Sequence, residues 1–278
     1  MKVTLKLIEE KGLSDDIVKE MIEMSKTQSK EWKNLYKRLP DDIAFEYARI
    51  KGRIQKEEIK SEYLKLSQRD REIKHLRGFQ YAAHHTEGLT FEEELIRNAK
   101  KRKDEKFTFF WATKSPFSQW YKCNFKAERI YRAPNYLMEF NEEIKFNSAE
   151  QYMMYNKCLL ALDFDAADKV LRTKDPRKQK EIGRKIKMTK EVLETWEFFK
   201  VQIVYEGNKT KFLQNKELKK LLLETKGTTL VEAAPDDKIW GIGLSEDNPK
   251  AKDRLSWEGK NILGEVLTLI RTEILGEY

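Results

Sequence analysis

FTFFW, residues 107–111, is where the chain changes character. Three phenylalanines and a tryptophan around one threonine read as a buried strand, because aromatic and β-branched side chains pack well on a pleated surface. Upstream, residues 1–104 carry apolar side chains spaced by three and four, the mark of amphipathic helices. Ser14, Asp15 and Asp16 start one such helix, with Ile17, Met21, Met24 and Trp32 near one face. Pro40-Asp41-Asp42 opens a second, carrying Ile43, Tyr47, Ile50 and Ile54, and a third stripe runs Tyr63, Leu66, Ile73, Leu76. Thr90 and Glu93 form a capping box before Leu95 and Ile96. Lys100-Lys101-Arg102-Lys103 then reads as a solvated linker.

Downstream, strands, loops and helices mix. A short strand is predicted at Glu143–Phe146 and another at Thr229–Glu232. Helices are predicted from Ser148, which with Gln151 forms a capping box, and at about 164–172, 177–187, 190–205, 216–225 and 261–275, with Gly227 as a C-cap. The pattern implies an α+β fold, mostly helical with a small sheet. It also implies two parts: a helical N-terminal extension at 1–104 and a mixed domain at 105–278.

Composition narrows the class. The 278 residues include 40% hydrophobic and 37% charged, with a formal charge of +8. That surplus suits phosphate or nucleic acid, and lysine-rich solvated helices produce it equally well. Two cysteines, Cys123 and Cys158, suit a reducing cytoplasm and make no disulfide framework. Three histidines, His75, His84 and His85, lack zinc spacing, so no metal is expected. The N-terminus lacks the apolar stretch of a signal peptide, and no apolar run is long enough to span a membrane.

Four clusters carry candidate chemistry. Ser115-Pro116-Phe117-Ser118, followed by Gln119-Trp120-Tyr121, sets hydroxyls beside aromatics, suited to a phosphate or a stacked base and equally to a packed turn. Glu150 and Lys157 stand seven apart, two helical turns along one face, with Glu150 in the first turn where the helix dipole favours a carboxylate. Gly183-Arg184, followed by Trp196, pairs a close-approach glycine with a guanidinium fork. Pro235 to Gly243 brings Asp237, Trp240, Gly241 and Gly243 into one loop, able to wall a planar substrate and supply an acid or base. For each cluster taken alone, a structural turn or a surface charge explains the residues as well.

Taken in order, the clusters are more specific. SPFSQWY at 115–121, SAEQYMMYNKC at 148–158, GR at 183–184, W at 196, KFLQN at 211–215, LVEAAPDDKIWGIGL at 230–244 and WEGKNILGEVLTLIR at 257–271 resemble the successive blocks of the NADAR (YbiA-like) family, over about residues 107–278. The resemblance implies hydrolysis of an N-glycosidic bond at ribose without metal or cofactor. One branch of the family removes ADP-ribose from guanine, reversing the action of ADP-ribosyltransferase toxins. Another acts on ribosylated pyrimidine intermediates of riboflavin synthesis. A non-catalytic reader of ADP-ribose or nucleic acid is the alternative of another class, and the intact Glu150, Lys157 and Asp237 argue against it. With this resemblance the expected catalytic set is Glu150, Lys157 and Asp237. Ser115, Pro116, Phe117, Ser118, Tyr152, Gly183, Arg184, Trp196, Trp240, Gly241, Gly243 and Asn261 are expected to bind substrate, an ADP-ribosylated guanine, free or within DNA or RNA.

Overall fold

The structure is a computed structural model that describes residues 3–27, 30–67, 87–127 and 143–277, with the single positions 70, 73, 77 and 83. Leu76 and the three histidines, His75, His84 and His85, lie outside the described residues, as does the side chain of Tyr63. The chain forms two compact units, 1–72 and 73–278. No helix among the described residues is long and apolar enough to cross a membrane.

The first unit is helical. It contains α1 (Leu5–Lys11), α2 (Asp15–Lys26), α3 (Lys30–Tyr36) and α4 (Asp41–Lys65). Thr4 and Ser14 cap α1 and α2 by accepting a backbone N–H, as small oxygen-bearing residues do at helix starts. The apolar stripes meet in a core of their own, including Val18, Met21, Trp32, Tyr47, Ile50 and Ile54.

The second unit begins before the aromatic strand. Helix α5 (Phe91–Ala99) has the predicted capping box, with Thr90 and Glu93 exchanging hydrogen bonds. Strands β1 (Phe107–Phe110), β2 (Phe125–Ala127) and β3 (Ile144–Phe146) follow, then α6 (Ala149–Leu160), α7 (Phe164–Arg172), α8 (Pro176–Lys185), α9 (Lys190–Gln214) and α10 (Lys216–Glu224). Strand β4 (Thr229–Glu232), two short 3-10 turns and α11 (Ile262–Leu275) complete it. β1 pairs in parallel with β4, Phe110 opposite Glu232, and β2 pairs antiparallel with β3. Helix α6 is buried on nearly every side and packs on α7, α8 and α9, which is why its sequence is apolar all round. Helix α11 lies directly on β4: Thr268 Oγ1 accepts the Leu230 N–H at 3.0 Å, and a side chain at Gly264 would collide with the Leu230 carbonyl.

Several local expectations are corrected. Helix α9 runs through Gly207 to Gln214 rather than stopping near 205. Gly207 is there for close approach, since a Cβ would meet the Tyr152 ring at 2.5 Å. Helix α10 is capped by Thr225, and Gly227, at φ +80°, turns the chain into β4 instead. Only half of the Ser148–Gln151 box forms: Ser148 Oγ accepts the Gln151 N–H, while Gln151 Oε1 accepts from Asn147 N.

The division of the chain also falls earlier than the expected 104/105 boundary. Leu95 and Ala99 of α5 are buried, Leu95 within the larger core and both on the side facing the second unit's helices α9 and α11. Arg102, read as part of a solvated charge run, donates to Thr229 Oγ1 at 2.9 Å and pairs with the buried Glu265. A fragment spanning 73–278 is therefore expected to fold with the thermal stability of the same unit in the full chain. One spanning 105–278 is expected to melt lower by ~5 °C or more, because it leaves Glu265 short of one of its cations and exposes the apolar surface under α5. Thermal melts of the two fragments check this, and equal stability would restore the later boundary.

Candidate active site

The site forms where α6, α8, α9 and the loop after β4 converge around a cleft of ≈ 710 Å³. One wall presents Lys157 and Met154 from α6, Lys180 and Arg184 from α8, and Trp196 and Lys200 from α9. The other is the loop from Pro235 to Trp240. The helices approach closely because Gly183 faces Met154, leaving no room for a β-carbon.

The cations differ in their partners. Lys200 is paired with Glu197 and, at 3.5 Å, with Glu92 of α5, and Lys238 with Glu258 at 2.9 Å. Lys157, Lys180 and Arg184 make no ion pair among the described residues. Lys157 Nζ instead sits over the Trp196 ring, 5.3 Å from its centroid, and Lys180 Nζ over Trp120 at 5.5 Å. Burial lowers the Lys157 amine below its usual range, with Arg184 adding to the effect and Glu197 and Glu150 opposing it.

Glu150 lies beneath this wall rather than in it, only 4% exposed. Its helix start is fixed twice, by Ser148 capping Gln151 N and by the Glu150 N–H donating to Gln119 O at 2.9 Å. Burial pushes its carboxyl up to about 7; Lys180, a hydrogen bond from the Trp120 side chain and Arg184 pull against that, and Asp237 adds to it. Asp237 has one oxygen committed to the loop: Oδ1 accepts from Ile239 N at 3.0 Å and Trp240 N at 2.8 Å. That turn aims Trp240 at the cleft and leaves the other oxygen of Asp237 outside it.

Of the residues expected from sequence, Lys157, Arg184, Trp196, Asp237 and Trp240 line the cleft together, with Glu150 next to them. The others stand elsewhere. Ser115 Oγ accepts Phe117 N at 3.4 Å and Ser118 Oγ accepts Trp120 N at 3.1 Å, so both hydroxyls build the turn. Buried Lys211 donates to the Pro116 and Ser118 carbonyls at 2.8 and 3.0 Å, which fixes that turn and the Trp120 it carries. Neither these residues nor Phe117 lines the cleft. Tyr152 belongs to the core, edge-on to Phe146 at 5.1 Å. Gly183, Gly241 and Gly243 shape the backbone: a Cβ on Gly241 would meet the Glu232 carbonyl at 2.8 Å, and Gly243 has φ +69°. Asn261, left-handed at φ 56°, donates to Leu230 O and accepts Glu232 N, both at 2.9 Å, so it fixes the end of β4.

Sequence reasoning passed over Lys180, Lys200 and Glu232. Lys180 stands four residues before Arg184 on α8 and Lys200 four after Trp196 on α9, so helical spacing from residues already singled out would have found both. Glu232 gave no such signal: at the end of a short strand it reads as an exposed charge.

An α+β domain whose cleft sets two tryptophans opposite unpaired cations, above buried carboxyls, is built to hold a planar, anionic ligand. The chain belongs to the NADAR family, whose domain model matches residues 109–275. It is 40% identical over 171 residues to Protein irg-1 of Caenorhabditis elegans, covering 60% of this chain and 79% of that one. It is 41% identical over 157 residues to an N-glycosidase of Acanthamoeba polyphaga mimivirus, covering 56% and 86%. It is also 36% identical over 116 residues to the chloroplastic riboflavin biosynthesis protein PYRR of Arabidopsis thaliana, covering 41% of this chain and 18% of that protein.

Proposed function

We propose that this chain is an N-glycosidase that cleaves the bond between ribose and a base, and that its preferred substrate is guanine carrying ADP-ribose. The observation that carries the reading is the pairing of Trp196 and Trp240 with the unpaired cations Lys157, Lys180 and Arg184 in one cleft. The similarity to a viral N-glycosidase supports the reaction class. In this reading the two indoles hold the base or ribose, each stacked ring contributing about 1–3 kcal/mol. Lys180 and Arg184 hold the phosphates, the task that the Ser115–Ser118 loop was expected to share.

Breaking the bond builds positive charge on the anomeric carbon and negative charge on the departing base. Glu150, ionised, stabilises the first through a short path of low dielectric. Asp237, through its second oxygen, serves the base or the attacking water. Lys157 either neutralises charge or attacks the anomeric carbon: its nitrogen forms the new bond, the base leaves with the electron pair of the broken one, and water then hydrolyses the resulting imine. No metal enters this scheme. The proposed setting is the cytoplasm.

The similarity to PYRR favours a second reading, a glycosidase for ribosylated pyrimidine intermediates of riboflavin synthesis. The two are separated by kcat/KM on an ADP-ribosylated oligonucleotide and on the pyrimidine intermediate, each at low and moderate salt. The oligonucleotide is expected to be preferred, and its kcat/KM to fall at least tenfold between 50 and 200 mM salt, because several phosphate contacts release counterions on binding. If the pyrimidine is preferred, or the oligonucleotide reaction ignores salt, the riboflavin reading takes precedence.

A further inference from the structure

The scheme above uses one buried carboxyl, yet two stand together under the cleft. Glu232 closes β4 with its backbone held on both sides: its N–H donates to Asn261 Oδ1 and its carbonyl accepts from Ile242 N, each at 2.9 Å. Its carboxyl is within electrostatic reach of Glu150, Asp237 and Lys180. One oxygen of Glu150 and one of Glu232 are buried and accept no hydrogen bond from the described residues. Two adjacent carboxylates in such surroundings do not both ionise; a proton on one relieves the repulsion and supplies a donor.

The surroundings also say which one keeps it. Glu150 sits at the N-terminus of α6, faces Lys180 and Arg184 of α8, receives the Trp120 hydrogen bond and has Lys157 on its own helix; only Asp237 and Glu232 oppose its charge. Glu232 has Lys180 alone, against Asp237 and Glu150. Burial pushes Glu232 up to about 8, further than Glu150.

We propose that Glu150 and Glu232 form a proton-sharing pair in which Glu232 keeps the proton and Glu150 keeps the charge. Glu232 is then a positioning residue, acting on the reaction through Glu150. This deepens the glycosidase reading and rests on it for its kinetic consequence; the pairing itself is observable without substrate.

The test uses the full chain labelled with carbon-13 at the glutamate carboxyls, as wild type, Glu150→Gln and Glu232→Gln, titrated by NMR. The signal lost in Glu232→Gln identifies Glu232. In Glu150→Gln that signal is expected to titrate lower than in wild type by about one pH unit or more, because the neighbouring charge is gone. The Glu150 signal in Glu232→Gln is expected to stay near its wild-type step, since Gln copies the protonated partner. An unmoved Glu232 step, or both carboxyls titrating in the ordinary range, overturns the pairing.

Folding is checked by melting at pH 8. A carboxyl raised in the folded state contributes stability that is full below about 4.5 and lost as pH rises through its folded value. Gln has no such loss, so both variants should melt at or above wild type there. In kinetics, Glu232→Gln is expected to cost at most about tenfold in kcat and Glu150→Gln at least ~10²-fold. The reverse ranking overturns the assignment of charge and proton. A wild type with no glycosidase activity would sink the function while leaving the titration result standing.

Discussion

Glu150→Gln is expected to lower kcat at least ~10²-fold with the fold intact, the scale of removing one preorganised electrostatic stabiliser. Gln keeps the size and removes the charge. The wild-type pH profile follows from the same residue. Its carboxyl is pushed up to about 7 by burial, so activity that needs it ionised should rise through neutral pH and flatten above 8. Stability runs the other way. The folded state holds this proton more tightly than the unfolded chain does, so its contribution is complete below about 4.5 and is lost as pH rises through 7. At 1.36 kcal/mol per unit that loss is roughly 3 kcal/mol. Glu150→Gln should therefore melt at or above wild type at pH 8 while being inert. Near-normal turnover with unchanged melting would remove Glu150 from the mechanism, and a lowered melting point would make its role structural.

Lys157→Ala is expected to be comparably damaging, and to show which of two jobs the lysine does. As a nucleophile it must lose its proton, and burial lowers its amine in that direction. The Trp196 ring beneath it favours the cation instead. Borohydride added during turnover of an ADP-ribosylated substrate is expected to trap an adduct on Lys157, found by peptide mass spectrometry. No adduct, together with substantial activity in Lys157→Ala, would leave the lysine only its electrostatic role.

The parts of this architecture that were legible in the sequence are those whose physics is local. Ser148 starts α6 and Thr90 with Glu93 starts α5 because capping depends on residues a few positions apart. The aromatic run at Phe107–Phe110 forms a strand because nothing polar interrupts it. What stayed hidden depends on partners far along the chain. Arg102 looks like solvated linker until Glu265, far along the chain on α11, is placed beside it. Gly207 looks like a helix end until the Tyr152 ring is seen against it. Ser115 and Ser118 look like phosphate ligands, but their own backbone takes their hydroxyls. β2, three residues long, exists because β3 pairs with it.

The candidate site divides in the same way. Lys157, Arg184, Trp196, Asp237 and Trp240 come from four separate segments, and their order along the chain was the readable feature. Asn261 was expected at the substrate; in the structure it clamps the strand end that carries Glu232. Glu232 could be found only in three dimensions, since its significance lies in what surrounds its carboxyl.

The most direct test of the account is release of free base. Wild-type protein and Glu150→Gln are each incubated with an ADP-ribosylated guanine nucleotide, and the products are followed by mass spectrometry. The account predicts equimolar free guanine base and ADP-ribose from the wild type and neither from the variant. Intact substrate after wild-type treatment, or equal release by both proteins, would contradict it.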